Sequence, residues 1–253
     1  MAEELTRRER PTMADKGGQV WEAYWTDLPD RTGAAFWDCE PADGAAAHAE
    51  LFKAHFDPAL PLVDLGCGNG TQTKYLAGLY DRVVGVDIAE AALNRARREN
   101  AADNASYELL DVLDDASVAA FRERYGDVNI YLSGVIHQLP VEKRVACARN
   151  LAVLAGARGC VFNQELTPAS YTYMQQLIAD PANDLPKLER VSIYFGIGLQ
   201  PAAGEAELET VYELGGLTVV DGGELLLRTT ETLPDGSGLD LPTHYVIARA
   251  SGS

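Results

Sequence analysis

The residues best placed to do chemistry lie in one short run, VDLGCGNG, Val63–Gly70. An apolar stretch leads into three alternating glycines, Gly66, Gly68 and Gly70. Glycines let the backbone turn sharply and approach a ligand, because no Cβ stands in the way. A helix begun directly behind them offers N–H groups that have no partner within the helix. Asp64 sits just ahead of the glycines, Asp87 closes the next apolar stretch, VVGVD, and Asp111 and Asp114 follow the third, in ELLDVLD. A carboxylate in the Asp87 position can accept from both hydroxyls of a ribose. One after the third strand suits an exocyclic adenine amine.

These groups meet only if the intervening elements place them on one edge. From Leu62 onward short apolar runs alternate with amphipathic stretches: LVDLG, then Thr71–Gly78; RVVGVD, then AEAALNRARRENAA; SYELLD, then SVAAFRERYG. VNIYLSGV, KRVACARNLAVLA and RGCVFNQEL continue the series. This rhythm predicts parallel βαβ units with both sheet faces covered. Open parallel sheets bind ligands at the carboxyl ends of their strands, where all of these acids fall. A G-x-G-x-G loop alone also serves dinucleotides or a plain turn. GCGNG departs from the G-x-G-x-x-G of nicotinamide folds, and the two acidic strand ends that follow argue against a mere turn.

VDLGCGNGTQTKYLA, VVGVD and LLDVLD resemble the successive cofactor motifs of class I S-adenosylmethionine (SAM)-dependent methyltransferases. The resemblance runs from about Leu62 to Leu154, and the order of elements agrees to the C-terminus. It implies a doubly wound, mostly parallel, Rossmann-like α/β sheet of seven strands, the last antiparallel and supplied by THYVIARAS. It implies that Asp64 and Gly66, Cys67 and Gly68 lie along the methionine part and ribose, with Asp87 and Ile88 at the ribose. Asp111 and Val112 would flank the adenine, and Ser133–Val135 would line the reactive end. The segment WEAYWTDLPDRTGAAFWDCEP is also loosely similar to the N-terminus of thiopurine-type methyltransferases. That similarity implies that Trp25 and Phe36 close over the cofactor, and an aromatic face attracts a sulfonium. A hydrophobic staple holding an N-terminal helix on the sheet explains the same aromatics.

Methyl transfer needs near-attack geometry and, for an O–H or N–H⁺ nucleophile, a proton acceptor. His137, just beyond the fourth strand, is the first candidate base; orientation of substrate and plain packing are equally open to it. Glu165, ending the fifth strand beside Asn163 and Gln164, is the second. The insertion after that strand carries Tyr171, Tyr173, Met174, Tyr194 and Phe195, which with Trp37 would wall an acceptor pocket or form a satellite core.

The chain has 253 residues, 47% of them hydrophobic, enough for a single decorated α/β domain. The expected division is a disordered lead-in over 1–18, an N-terminal cap over 19–58 and a lid insertion over 167–201. The cap is read as a helix near Gly18–Thr26 and another from about Asp43 to His55. LTVVDGGELLLRTTETLP reads as a strand pair, or as one strand bent at Gly222–Gly223. A net charge of −17 argues against nucleic acid or an anionic membrane as partner, and no apolar run is long enough to span a bilayer. The four cysteines stand apart in sequence, as reduced cytoplasmic thiols do, and no metal requirement is expected. The expected activity is SAM-dependent methylation of a small aromatic or apolar metabolite, by a monomer or homodimer, on oxygen or nitrogen first, with carbon open. A non-catalytic SAM-binding protein and a peptide methyltransferase are the rival readings.

Overall fold

The computed structural model describes residues 13–194, 196 and 205–252. Seven strands form one sheet in the order β3-β2-β1-β4-β5-β7-β6. They are β1 Leu62–Leu65, β2 Val83–Asp87, β3 Ala105–Leu109, β4 Asn129–Ser133, β5 Val161–Leu166, β6 Leu217–Thr232 and β7 Gly238–Ala250. The first five pair in parallel, and β7 runs antiparallel to both β5 and β6. The expected sheet is therefore present, with β7 alone reversed.

β1, β2 and β5 are buried along their whole length, which is why they read as continuous apolar runs rather than alternating ones. Helices α5 (Asp115–Tyr125), α6 (Val141–Ala155) and α9 (Glu205–Leu214) cover one face over Val63, Val84, Ile130 and Leu132. Helices α2 (Ala45–Phe52) and α3 (Thr71–Leu76) cover the other, where Phe52, Leu76, Tyr131 and Phe162 pack together. Helix α4 (Glu90–Glu99) joins β2 to β3. Chain order reverses between β1 and β4, so a crevice opens at their carboxyl ends.

A third apolar cluster roofs that end. Helix α1 (Met13–Asp27) brings Val20, Tyr24 and Trp25 against Leu166, Leu239 and Leu241. Met174 of α7 (Pro168–Ala179) and Leu188 of α8 (Pro186–Glu189) complete it. The cap is also tied down by polar contacts. Arg95 of α4 donates to the carbonyls of Leu28 and Pro29, and Glu22 accepts from the Ala91 N–H at 3.0 Å.

Several boundaries differ from those read in the sequence. α1 begins at Met13, so residues 13–18 are helix rather than lead-in, and residues 1–12 lie outside the described ones. The Asp43–His55 helix is shorter, because Pro41–Asp43 forms a separate 3-10 turn ahead of Gly44. β6 is one strand rather than a pair, and its register slips between Val219 and Asp221 and again between Arg228 and Thr232. The alternating exposure along β6 reflects its place at the sheet edge. No described helix is long and apolar enough to cross a membrane.

The turn into β5 admits no side chain. A Cβ on Gly159 would lie 2.0 Å from the Val128 carbonyl oxygen and 2.5 Å from that of Ala155, both rigid backbone. Gly159→Ala is therefore expected to cost about 1–3 kcal/mol of stability by forcing β4 and β5 apart. Urea unfolding of the variant checks this, and an unchanged midpoint would contradict it.

Candidate active site

A cavity of about 390 Å³ lies at the carboxyl ends of β1, β2 and β4, under the N-terminal cap. The glycine loop forms its floor. Gly68 has φ +54, and a Cβ there would sit 2.7 Å from the Trp25 ring, so the loop can carry only glycine beneath the indole. Asp87 holds the loop from the neighbouring strand: one carboxylate oxygen accepts from Gly68 N–H at 3.0 Å, the other from Ala89 N–H at 2.9 Å. Burial pushes the Asp87 carboxyl up to about 6, against the pull of its backbone donors. Asp64 accepts from the Thr73 hydroxyl at 2.5 Å, and burial pushes it up to about 7, with Asp87 adding to the rise.

The structure brings most of the expected residues to this one space. Asp64, Gly66, Cys67, Gly68, Asp87 and Ile88 line it, as do Asp111, Val112 and Ser133 from the next strand ends. Trp25, Phe36, Trp37 and Met174 line it from the cap and α7. Tyr24 stacks on Trp37 at 5.3 Å, and Trp21 meets the same indole edge-on at 5.5 Å. The aromatics therefore serve at once as cavity wall and as the core of the cap.

Four expectations fare differently. Glu165 does not line the cavity. It is 2% exposed, and its carboxylate accepts from the N–H groups of Val135, Ile136 and His137 at 3.2, 2.8 and 3.1 Å. Gln164 faces the cavity, and successive side chains on a strand point to opposite faces. Asp114 is a helix cap, accepting from Ala116 N–H at 3.2 Å at the start of α5. Tyr171 sits beside the buried Ser170–Met174 face of α7 and does not reach the cavity. Phe195 and the side chain of Tyr194 lie outside the described residues.

His137 does line the cavity, but both of its ring nitrogens are engaged. Nδ1 lies 2.5 Å from the Glu165 carboxylate and Nε2 2.5 Å from the Gln138 amide nitrogen. Burial alone would raise the Glu165 carboxyl, but the His137 ring and the backbone donors outweigh it and hold it below the ordinary range. The pair pins the Val135–Gln138 turn beneath the cavity wall.

Sequence reasoning missed the lock between cap and loop. Asp38 accepts from Asn69 Nδ2 at 2.9 Å, the Thr71 hydroxyl at 2.7 Å and Gly33 N–H at 3.1 Å. Gln72 donates to the Cys39 carbonyl and accepts from Ala45 N–H, both at 2.9 Å. The NGTQT run after the glycines held half of that signal; the other half lies far away in sequence. His48, Tyr131, Ser192 and Leu227 also line the cavity. Its described charges are lopsided: Asp38, Asp43, Asp64, Asp87 and Asp111 stand against Lys143. Such a field favours a cationic guest.

Comparison with known proteins agrees with this geometry. Residues 62–159 match a methyltransferase-domain family. A crystal structure of a SAM-dependent methyltransferase from Anabaena variabilis superposes with a TM-score of 0.86 and 30% identity, covering 96% of this chain and all of that one. The O-methyltransferase cnsE of Penicillium expansum is 28% identical over 234 residues, 89% of this chain and 75% of that protein. An N,N-dimethyltransferase of Streptomyces fradiae acting on a dTDP-amino sugar is 33% identical over 87 residues, 34% of this chain and 32% of that protein. With the glycine loop, the acidic strand ends and the full-length structural match in agreement, the chain belongs to the SAM-dependent methyltransferases, and SAM is its cofactor.

Proposed function

We propose that this methyltransferase acts on a small aromatic or apolar metabolite held beside the methyl group inside the cavity. The observation that carries this reading is the continuity of one space. Acidic strand ends at Asp87 and Asp111 meet, in the same cavity, a wall of Trp37, Leu166, Met174, Val191 and Leu227. A roofed apolar compartment of this size suits a compact molecule rather than an extended peptide.

The residues fit the cofactor on their own chemistry. Asp87 has carboxylate lone pairs beyond the two backbone bonds it already accepts, enough for ribose hydroxyls. Asp111 turns back on Leu113 N–H at 2.8 Å, leaving its other oxygen for the base. Trp25 packs against Gly68 of the glycine loop, and an aromatic face favours a sulfonium. Bound SAM supplies an electrophilic methyl on sulfur; the chain's own residues bind it, hold the acceptor in line and exclude water. Ser133 donates to Gln164 at 2.9 Å, and Gln164 in turn donates to Thr243, which fixes the Gln164 side chain at the cavity wall.

Four outcomes test the acceptor and the residues of the site. Screening small phenols, amines and metabolite extracts with methyl-labelled SAM should transfer label to a small molecule; label only on added peptides, or none at all, contradicts it. Asp87→Ala should weaken SAM by roughly 1–3 kcal/mol, because ribose donors lose their partner. In the unaltered protein SAM affinity should fall as pH drops through about 7 and then about 6, where the raised Asp64 and Asp87 carboxyls take up protons, and Asp87→Ala should remove the lower part of that fall. Calorimetry across pH checks both, and a flat profile would remove Asp87 from the ribose. His137→Gln is expected to change kcat by less than the ~10²–10⁴-fold of a lost general base, since Glu165 and Gln138 already occupy both ring nitrogens. Steady-state kinetics with the labelled acceptor decide it.

A further inference from the structure

Two histidines line the cavity, and their ring nitrogens are used differently. Those of His137 are both engaged. His48, on α2, is 3% exposed and stands over β4 and β5, its ring 5.9 Å from Tyr131 and 5.2 Å from Phe162. Its Nδ1 lies 2.9 Å from the Tyr131 hydroxyl, and that is the phenol's one hydrogen bond among the described residues. Nδ1 stands at hydrogen-bond distance to accept the Tyr131 proton. Burial lowers the His48 pKa to about 4, so the ring is neutral at physiological pH and carries a single N–H. With Nδ1 accepting, that hydrogen sits on Nε2. Nε2 bonds to no described residue, and it is not one of the sealed, unsatisfied nitrogens of the interior; it is open to the cavity that His48 lines.

A buried neutral donor left without a partner is costly unless a ligand completes it. The sheet order says which ligand. β2 and β3, with Asp87 and Asp111 at or just beyond their ends, lie on one side of β1, while β4 and β5 lie on the other. His48 stands on the side away from those acids, over the same strands that carry Gln164 and Leu166. Asp64, whose charge acts on Tyr131, and Asp43, just ahead of α2, disfavour an anion there.

We propose that His48, its tautomer fixed by Tyr131, donates its Nε2–H to an uncharged carbonyl or hydroxyl oxygen of the methyl acceptor, and so selects acceptors that carry such an oxygen. The assignment rests on the small-molecule reading above and adds a specificity-determining residue to it. A site built to hydrogen-bond an oxygen discriminates against the analogue that lacks it, because its own buried donor is then left unpaired.

Three measurements test it. In protein labelled with ¹⁵N-histidine and saturated with S-adenosylhomocysteine, the His48 ring should carry its proton on Nε2, and Tyr131→Phe should release that preference; a proton on Nδ1 in the unaltered protein overturns the assignment. By calorimetry His48→Leu should leave S-adenosylhomocysteine affinity unchanged. If it weakens that ligand while 5′-methylthioadenosine binds as before, the donor serves the methionyl carboxylate and the assignment falls. With methyl-labelled SAM and a panel of hydroxyaryl ketones set against the same phenols without the carbonyl, His48→Leu should raise KM for the ketones about tenfold, the loss of one hydrogen bond. His48→Gln, whose amide N–H replaces Nε2–H, should recover most of it. Unaltered enzyme that labels neither this panel nor the amines and metabolite extracts defeats the small-molecule reading itself; enzyme that labels the ketones while His48→Leu keeps its KM defeats only the role of His48.

Discussion

The active end of this protein depends on one buried carboxylate. Asp87 bridges the glycine loop after β1 and the turn after β2 through Gly68 N–H and Ala89 N–H. Without it two backbone donors would lie buried and unpaired, and the loop would lose its tie to the neighbouring strand. The loop's path in turn decides where Trp25 can lie, since the indole rests on the space that a side chain at position 68 would fill. Trp25 belongs to the aromatic core of the cap, so the position of the cap follows from the position of the loop.

The buried carboxylates share a chemical type and differ in task, and the number of donors around each explains the difference. Glu165 has three backbone N–H groups and a histidine, and its carboxyl is held low, as suits a fixed anchor. Asp64 has one hydroxyl, and burial raises its carboxyl to about 7. Asp87 lies between, at about 6. An under-satisfied carboxylate facing a cavity has capacity left for a ligand's donors or positive charge, whereas a fully satisfied one behind the wall has none. The same reasoning separates the two cavity histidines. His137 is closed on both sides by the protein, and His48 is closed on one.

The cap is joined to the sheet by apolar packing and by a small set of directional bonds, chiefly those of Asp38 to Asn69 and Thr71. These bonds run from the segment after α1 to the residues immediately behind the glycines, so the roof over the cavity is fastened to its floor. An apolar roof alone would leave the cap free to slide over the sheet; the Asp38 bonds set its register.

What the sequence determined by itself was everything that depends on local periodicity and on the βα turn. Continuous apolar runs divided by helical stretches predicted the parallel strands, because strands buried on both faces must be apolar throughout. Asp64, the glycines, Asp87 and Asp111 were legible because a parallel sheet delivers every strand end to the same edge. Tertiary structure decided the rest. Strand parity placed Gln164 and Glu165 on opposite faces, but only the packed molecule shows that the cavity lies on the Gln164 side. The partnerships of His48 with Tyr131, and of Asp38 with Thr71, join segments far apart in the chain. No spacing announces such pairs, since their distances are set by how helices and cap settle on the sheet, and that is fixed by packing rather than by any local pattern.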